Sequence, residues 1–215
     1  MKIRFSNIIP TPFADQNMVG DIWGKELSFC LGKHYHILAT SGKGKSTFAH
    51  VFYGLRKDHA GELYWNDKLF SNYTINEIQQ LRTGMFGIVF QDLRLFLDQT
   101  ALENIAIHQS DLTEGIIDSE EIRGFAKLMG IDHLLEKKCA LLSYGQRQRV
   151  AILRAISRPF KWLILDEPFS HLDKENENIA GELILEMVNR NDASLVITGL
   201  NDVAEVMGDG EVLRV

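Results

Sequence analysis

The segment Ala39-Thr-Ser-Gly-Lys-Gly-Lys-Ser-Thr47 limits the folds open to this chain more than any other. It follows the apolar run His36-Ile-Leu-Ala39 and precedes a helical stretch, Phe48–Leu55, so it falls at a strand-to-helix junction. A glycine-rich turn at that junction lets successive backbone N–H groups and the start of the helix converge on an anion. The pattern is that of a phosphate-binding P-loop. Gly42 and Gly44 allow close backbone approach to phosphate, Lys45 is placed to reach the β- and γ-phosphates of a nucleotide, and Ser46 is placed to ligate Mg²⁺. Ser41, Lys43 and Thr47 belong to the same cradle, Lys43 adding charge without a required role. Ala39 stands where the strict pattern has glycine, the smallest substitution available there.

A second motif fits the first. Trp162-Leu-Ile-Leu-Asp-Glu-Pro168 places two carboxylates immediately after a buried strand, at the end of a parallel sheet where ligands of such sheets collect. Asp166 is expected to face the metal and Glu167 the attacking water. Further apolar runs at Phe86-Gly-Ile-Val-Phe90 and Ser194-Leu-Val-Ile-Thr198 read as buried strands, while Lys2–Ile9 and Glu26–Leu31 alternate as an antiparallel part would. The expected fold is therefore α/β, a mainly parallel sheet with helices, an antiparallel β part and an inserted α-helical lobe. The lobe is read over about residues 98–158, between core segments 1–97 and 159–215 of a single domain. Inside it, Asp118 and Glu121 form a capping pair, Gly130 closes a helix, and a further helix starts near Ser143 and is stopped by Pro159.

Composition narrows the function classes. The 215 residues carry a formal charge of -6 and no Lys/Arg-rich run, which disfavours direct nucleic-acid binding. The two cysteines, Cys30 and Cys139, have no metal or redox spacing and are read as buried free thiols. Met1-Lys-Ile-Arg-Phe-Ser-Asn lacks the apolar core of a signal peptide, and no apolar run reaches the ~20 residues needed to span a bilayer. The expectation is a cytoplasmic protein whose membrane association comes only through a partner.

With both motifs in hand the chain resembles the ABC ATPase family, a branch of the P-loop NTPases with a RecA-like core. The signature Leu142-Ser-Tyr-Gly-Gln146 carries the resemblance and continues through Arg147–Ala155, with Gln91 in Val-Phe-Gln-Asp as Q-loop and Ser170-His-Leu-Asp173 as D-loop. The resemblance implies ATP and Mg²⁺ as ligands and a head-to-tail dimer, either a homodimer or a heterodimer with another ABC ATPase. In that dimer Ser143, Gly145 and Gln146 of one subunit would close over the γ-phosphate held by the other. Gln91 would ligate the metal and sense the γ-phosphate, and Asp173 would carry contacts between the two sites. Adenine would stack on Phe13 or, failing that, on Trp23.

Three positions depart from the family pattern: Ala39, Tyr144 in place of a signature glycine, and Gly199 or Leu200 where the family has a histidine at the γ-phosphate. A missing donor there implies slow or partner-dependent turnover, and leaves open a subunit that binds ATP as a sensor with little hydrolysis. The stretch Gly87–Ile105 is similar to that of the subfamily serving lipoprotein release, macrolide export and cell division, which implies a separate membrane permease subunit. An ABC ATPase of DNA repair would need a far longer insertion than the lobe provides. The sequence ends soon after Glu211-Val-Leu-Arg214, so the expectation is a minimal motor without the C-terminal regulatory domain of many sugar importers.

Overall fold

The computed structural model describes residues 1–15, 20–39, 44–107, 117–199 and 204–215. Along the chain run β1 (Ile3–Pro10), β2 (Glu26–Phe29), β3 (Tyr35–Leu38), α1 (Lys45–Phe52), β4 (His59–Trp65), β5 (Lys68–Leu69), α2 (Ile75–Met85) and β6 (Phe86–Val89). Then follow α3 (Ala101–Ala106), α4 (Ser119–Leu128), α5 (Tyr144–Ile156), β7 (Trp162–Asp166), α6 (Lys174–Arg190), β8 (Ser194–Gly199), α7 (Ala204–Met207) and β9 (Glu211–Arg214).

Residues that alternate and residues that do not end in different sheets. β1 buries Ile3, Phe5 and Ile8, and pairs antiparallel with β2 and β4 in a sheet of order β2-β1-β4-β5. β7 and β8 are buried along their whole length, as expected for strands covered on both faces. They sit centrally in an all-parallel sheet of order β6-β7-β8-β3-β9. The aromatic residues of α1 join the two sheets: Phe48 meets Phe5 at 5.6 Å between ring centroids, and Phe52 meets Trp162 at 5.2 Å. The opposite face of the parallel sheet, with Val89, Leu163, Leu165 and Ile197, shares one core with α3, α4, α5 and α6. β3 and β7 flank β8 and run parallel to it, so the P-loop after β3 and the carboxylates closing β7 emerge from the same edge.

The helices are set by their caps. Thr74, Thr100 and Ser143 each close a capping box with the Glu or Gln three residues on, and Asp118 accepts from the Glu121 N–H. Gly130, at φ 63°, follows the helix ending near Leu128, and α5 ends at Ile156, three residues ahead of Pro159.

Two expectations need correction. α1 begins at Lys45 rather than Phe48, because Gly44 at φ 104° is its N-cap and the loop's own Lys45-Ser-Thr forms the first turn. Cys139 is buried but Cys30 is exposed, since Phe29 takes the inward position at the end of β2.

Candidate nucleotide site

Lys45 leaves the first turn of α1 almost fully buried, and its Nζ donates to the Ala39 carbonyl at 2.9 Å and pairs with Glu167 Oε1 at 3.1 Å. The ammonium thus bridges the loop's start and the acid after β7, where phosphate oxygens would take over as partners. Glu167 itself sits at φ 51°, a strained conformation for a residue with a Cβ. Contacts from two other elements hold it. Its N–H donates to Thr198 at the end of β8, and its carbonyl accepts from Gln148 of α5 at 3.2 Å and from the Ser170 hydroxyl at 3.2 Å.

Beside this pair lies a metal-type corner. The Ser46 hydroxyl donates to Gln91 Oε1 at 2.9 Å, joining the P-loop to the loop after β6. Asp166 is 1% exposed; its Oδ1 accepts from Thr198 at 2.6 Å and its Oδ2 has no hydrogen-bond partner. Burial raises the Asp166 carboxyl above its usual range, a tendency opposed by the Thr198 bond and by the nearby Ser46 hydroxyl. An orphaned buried carboxylate oxygen beside a hydroxyl and an amide oxygen fits a hard cation such as Mg²⁺, which completes its shell with water and phosphate oxygens.

The signature segment starts α5. The Ser143 hydroxyl accepts from the Gln146 N–H at 3.2 Å, and Gln146 Oε1 accepts from the Ser143 N–H at 2.9 Å. The capping bond uses the hydroxyl only as acceptor, so its proton remains available to an external anion. A Cβ on Gly145 would stand 2.9 Å from the His171 carbonyl oxygen, so only glycine fits where the two segments touch. Tyr144 donates its hydroxyl to the Gln91 carbonyl at 2.8 Å, and its ring packs at a tilt against His171, 4.1 Å between centroids. It connects the signature, the Q-loop and the D-loop in one chain of contacts. Asp173 caps α6, accepting from the Asn176 N–H at 2.9 Å, and that bond, with a second from the Asn176 side chain, keeps its carboxyl below the usual range.

Phe13 is buried over the P-loop, and a Cβ on Gly44 would lie 3.0 Å from its ring. Trp23 lies further in, 6.1 Å from Phe13 and stacked on Phe5. The Thr47 hydroxyl receives a bond from Arg56 at 3.2 Å. Ser41, Gly42 and Lys43 lie outside the described residues, as does Leu200. Gly199 ends β8 opposite Leu38, and its carbonyl accepts from Ala39 N–H at 3.4 Å. Sequence reasoning missed Thr198, which holds the Asp166 carboxylate and the Glu167 N–H, and Gln148, which holds the Glu167 backbone carbonyl. A hydroxyl directly after the apolar run Leu195–Ile197 was the one available signal for Thr198, and Gln148 carried none.

A lysine-bearing loop between a parallel strand and a helix, facing paired carboxylates from the next strand but one, defines a P-loop nucleoside triphosphatase. A family model described as ABC transporter matches residues 24–170, and the chain belongs to that family. Its relatives include the lipoprotein-releasing system ATP-binding protein LolD of Buchnera aphidicola, 35% identical over 80% of this chain and 77% of the relative. LolD of Saccharophagus degradans is 35% identical over 91% of this chain and 86% of the relative. The glucose import ATP-binding protein GlcV of Saccharolobus solfataricus is 38% identical over 81% of this chain but 49% of its own length. The dimeric structure of MJ0796, a bacterial ABC transporter cassette, superposes with a TM-score of 0.81 at 25% identity, covering 99% of this chain and 94% of that one. A second structure of the same cassette, in a post-hydrolysis state bound to ADP and Pi, matches equally well. The expected fold class and family are met, and the chain is a nucleotide-binding ATPase cassette.

Proposed function

We propose that the cassette binds MgATP between the P-loop and the end of β7 and, as a dimer, drives a separate membrane subunit of the lipoprotein-releasing kind. Residues 1–97 and 159–215 would serve as nucleotide core and 98–158 as signature-bearing lobe. The dimer would be a homodimer or a heterodimer with a second ABC ATPase, at the cytoplasmic face. No helix among the described residues is long and apolar enough to cross a membrane, which agrees with a separate membrane partner.

The observation that carries the reading is the convergence of Lys45, Ser46, Gln91, Asp166 and Glu167 around one orphaned carboxylate oxygen. Ser46, Gln91 and Asp166 would hold Mg²⁺, which supplies charge neutralisation between the phosphates. Lys45 would exchange Glu167 for phosphate oxygens. Released from that pair, Glu167 would accept a proton from the attacking water. Its strained backbone, fixed by Thr198, Gln148 and Ser170, keeps the carboxylate aimed while the lysine moves. Ser143 and Gly145 would meet the γ-phosphate of the partner subunit, with Gln146 holding the cap and Asp173 lying at the junction between the two sites. Phe13, the aromatic residue touching the P-loop, is favoured over Trp23 for the base. The loop Asp92–Leu97, leading from Gln91, would press on the membrane subunit.

Phosphate release from MgATP by the purified chain, alongside size-exclusion chromatography, tests this. Turnover should fall by ~10²–10⁴-fold in Glu167→Gln, as for loss of a general base, with an ATP-dependent dimer retained. A Glu167→Gln protein that stays monomeric with ATP, or hydrolyses as the parent does, overturns the proposal.

A further inference from the structure

β8 ends beside the paired carboxylates in Gly199, which brings no side-chain donor toward a γ-phosphate. Of the seven histidines in the chain, His50 of α1 packs toward Phe90, 5.9 Å between centroids, while His171 touches the signature segment. His171 is exposed, yet its ring is held on two sides. It packs at a 46° tilt on Tyr144, 4.1 Å between centroids, and its Nδ1 lies 2.9 Å from the Ser170 hydroxyl. The backbone is fixed as closely, its N–H donating to Gln148 Oε1 at 3.2 Å and its carbonyl abutting Gly145. Gln148 and Ser170 are also the groups that hold the Glu167 carbonyl. An exposed imidazole ordered in this way has given up rotamer freedom that a solvated side chain keeps. Among the described residues its Nε2 makes no hydrogen bond.

What the ring is packed on decides which nucleotide it can serve. Ser143 and Gly145 are the groups that would meet the partner's γ-phosphate, and a side chain seated on Tyr144 between them moves with them. It therefore reaches the partner's nucleotide and not its own. Ser170 suits a ring that donates outward. With the Ser170 proton turned to Nδ1, the neutral ring carries its own proton on Nε2, and the imidazolium carries one on both nitrogens. Either form leaves an Nε2–H for a phosphate oxygen, the kind of donor that counts where charge develops. Two departures from the family pattern then belong to one arrangement: Tyr144 is the platform for the ring, and Gly199 is the gap that the ring fills from across the dimer.

We infer that His171 donates from Nε2 to the γ-phosphate held by a second copy of this chain, replacing in trans the donor that β8 lacks in cis, an inference resting on the dimeric ATPase function proposed above. Each copy lacks the donor at residue 199 and carries it at residue 171, so a two-fold dimer of identical chains completes both sites. The signature contacts and the imidazole arrive together, which ties the added donor to dimer closure.

Steady-state phosphate release from MgATP tests this, with ATP-dependent dimerisation followed by size-exclusion chromatography. His171→Phe keeps a ring on Tyr144 without a nitrogen and should lower kcat about a hundredfold, as for one preorganised donor, with ATP affinity unchanged. His171→Gln keeps an N–H and should lose only severalfold. Two nearly inactive variants, His171→Phe and Glu167→Gln, should recover turnover when mixed in equal amounts. About half the dimers then pair one chain of each, and one of the two sites in each such dimer combines an intact Glu167 with an incoming His171, so about a quarter of parental turnover returns. If His171 served its own chain's nucleotide, no site in the mixture would be complete. Gly199→His supplies a donor in cis, so it should raise kcat by a larger factor in His171→Phe than in the parent. A mixture no more active than its components overturns the inference. So does an equal gain from Gly199→His in both backgrounds, because a purely structural His171 would not depend on residue 199. A parent that hydrolyses ATP as a dimer while His171→Phe turns over at the same rate overturns the inference and leaves the proposed function standing. A parent that neither dimerises nor hydrolyses with MgATP overturns both.

Discussion

β7 and β8 lie side by side and end in opposite ways. β7 ends in Asp166 followed by Glu167, both held by named contacts, whereas β8 ends in Thr198 and a bare glycine. Thr198 serves its neighbour strand, giving a hydroxyl to Asp166 and accepting from Glu167. Gly199 offers the site only backbone. The equipment for holding nucleotide and aiming water is therefore assembled, while the strand beside it supplies no side-chain donor to charge developing on the phosphate. Binding and rate should separate experimentally, and mutations at the two strand ends should act on different quantities.

The largest effect belongs to the binding side. Lys45→Ala removes the buried ammonium and leaves Glu167 without its ion pair. ATP affinity, measured by calorimetry, should fall about a hundredfold, the range for a charged hydrogen-bonding group lost to an ionic ligand. Affinity within a few-fold of the parent would mean that the P-loop side does not hold the phosphates, and the contrast between the strands would collapse.

Gly199→His addresses the rate side. A preorganised donor at developing charge is worth ~10²–10³-fold elsewhere, and one installed without evolved support should recover about tenfold in phosphate release. ATP affinity should change little. Unchanged turnover with intact folding and binding would place the end of β8 away from the reacting phosphate.

How far this contrast could be read beforehand follows from where the information lies. Both strand ends are visible in the sequence, because strands buried on two faces write themselves as continuous apolar runs: Trp162–Leu165 and Ser194–Thr198 each fall within one residue of the observed limits. Helix starts at Asp118 and Ser143 are legible because an N-cap uses a side chain bonding three residues on. α6 is not legible beyond its N-cap neighbour Asp173, named only as part of the D-loop, since its apolar positions are diluted by Glu and Asn through Lys174–Arg190. β4 was missed because Gly61 and an exposed first half hide the alternation. The bonds from Thr198 to Asp166 and from Tyr144 to Gln91 join residues 32 and 53 positions apart, and no local pattern announces them. The family resemblance supplied the roles of Gln91 and the signature, and the geometry added the partners that hold them.

Asp166 sharpens the comparison through stability. Burial raises its folded-state pKa above the unfolded value, so the folded protein binds this proton more tightly than the unfolded chain does. The stabilising contribution is present below the ordinary carboxylate range and is lost as pH rises through the raised value. Asp166→Asn keeps an oxygen for Thr198 and removes the buried charge. Without nucleotide it should melt a few degrees higher than the parent at pH 8, and the gap should close toward pH 4. With MgATP the order should reverse, because only the parent gains the metal. A variant less stable than the parent at pH 8 would show that the carboxylate is already neutralised within the fold.

The smallest effect tests the tie between the strand ends and the lobe. Tyr144→Phe keeps the ring on His171 and deletes only the hydroxyl bond to Gln91. An exposed neutral bond of this kind is worth about 0.5–1.5 kcal/mol, so kcat should fall about two- to tenfold. KM and ATP affinity should hold, because Ser46 keeps Gln91 through its side chain and not through the carbonyl that Tyr144 engages. Loss of ATP affinity instead would assign Tyr144 to the binding side of the contrast. No change in either constant would reduce its hydroxyl to a surface contact, and the link from signature to Q-loop would then rest on backbone packing alone.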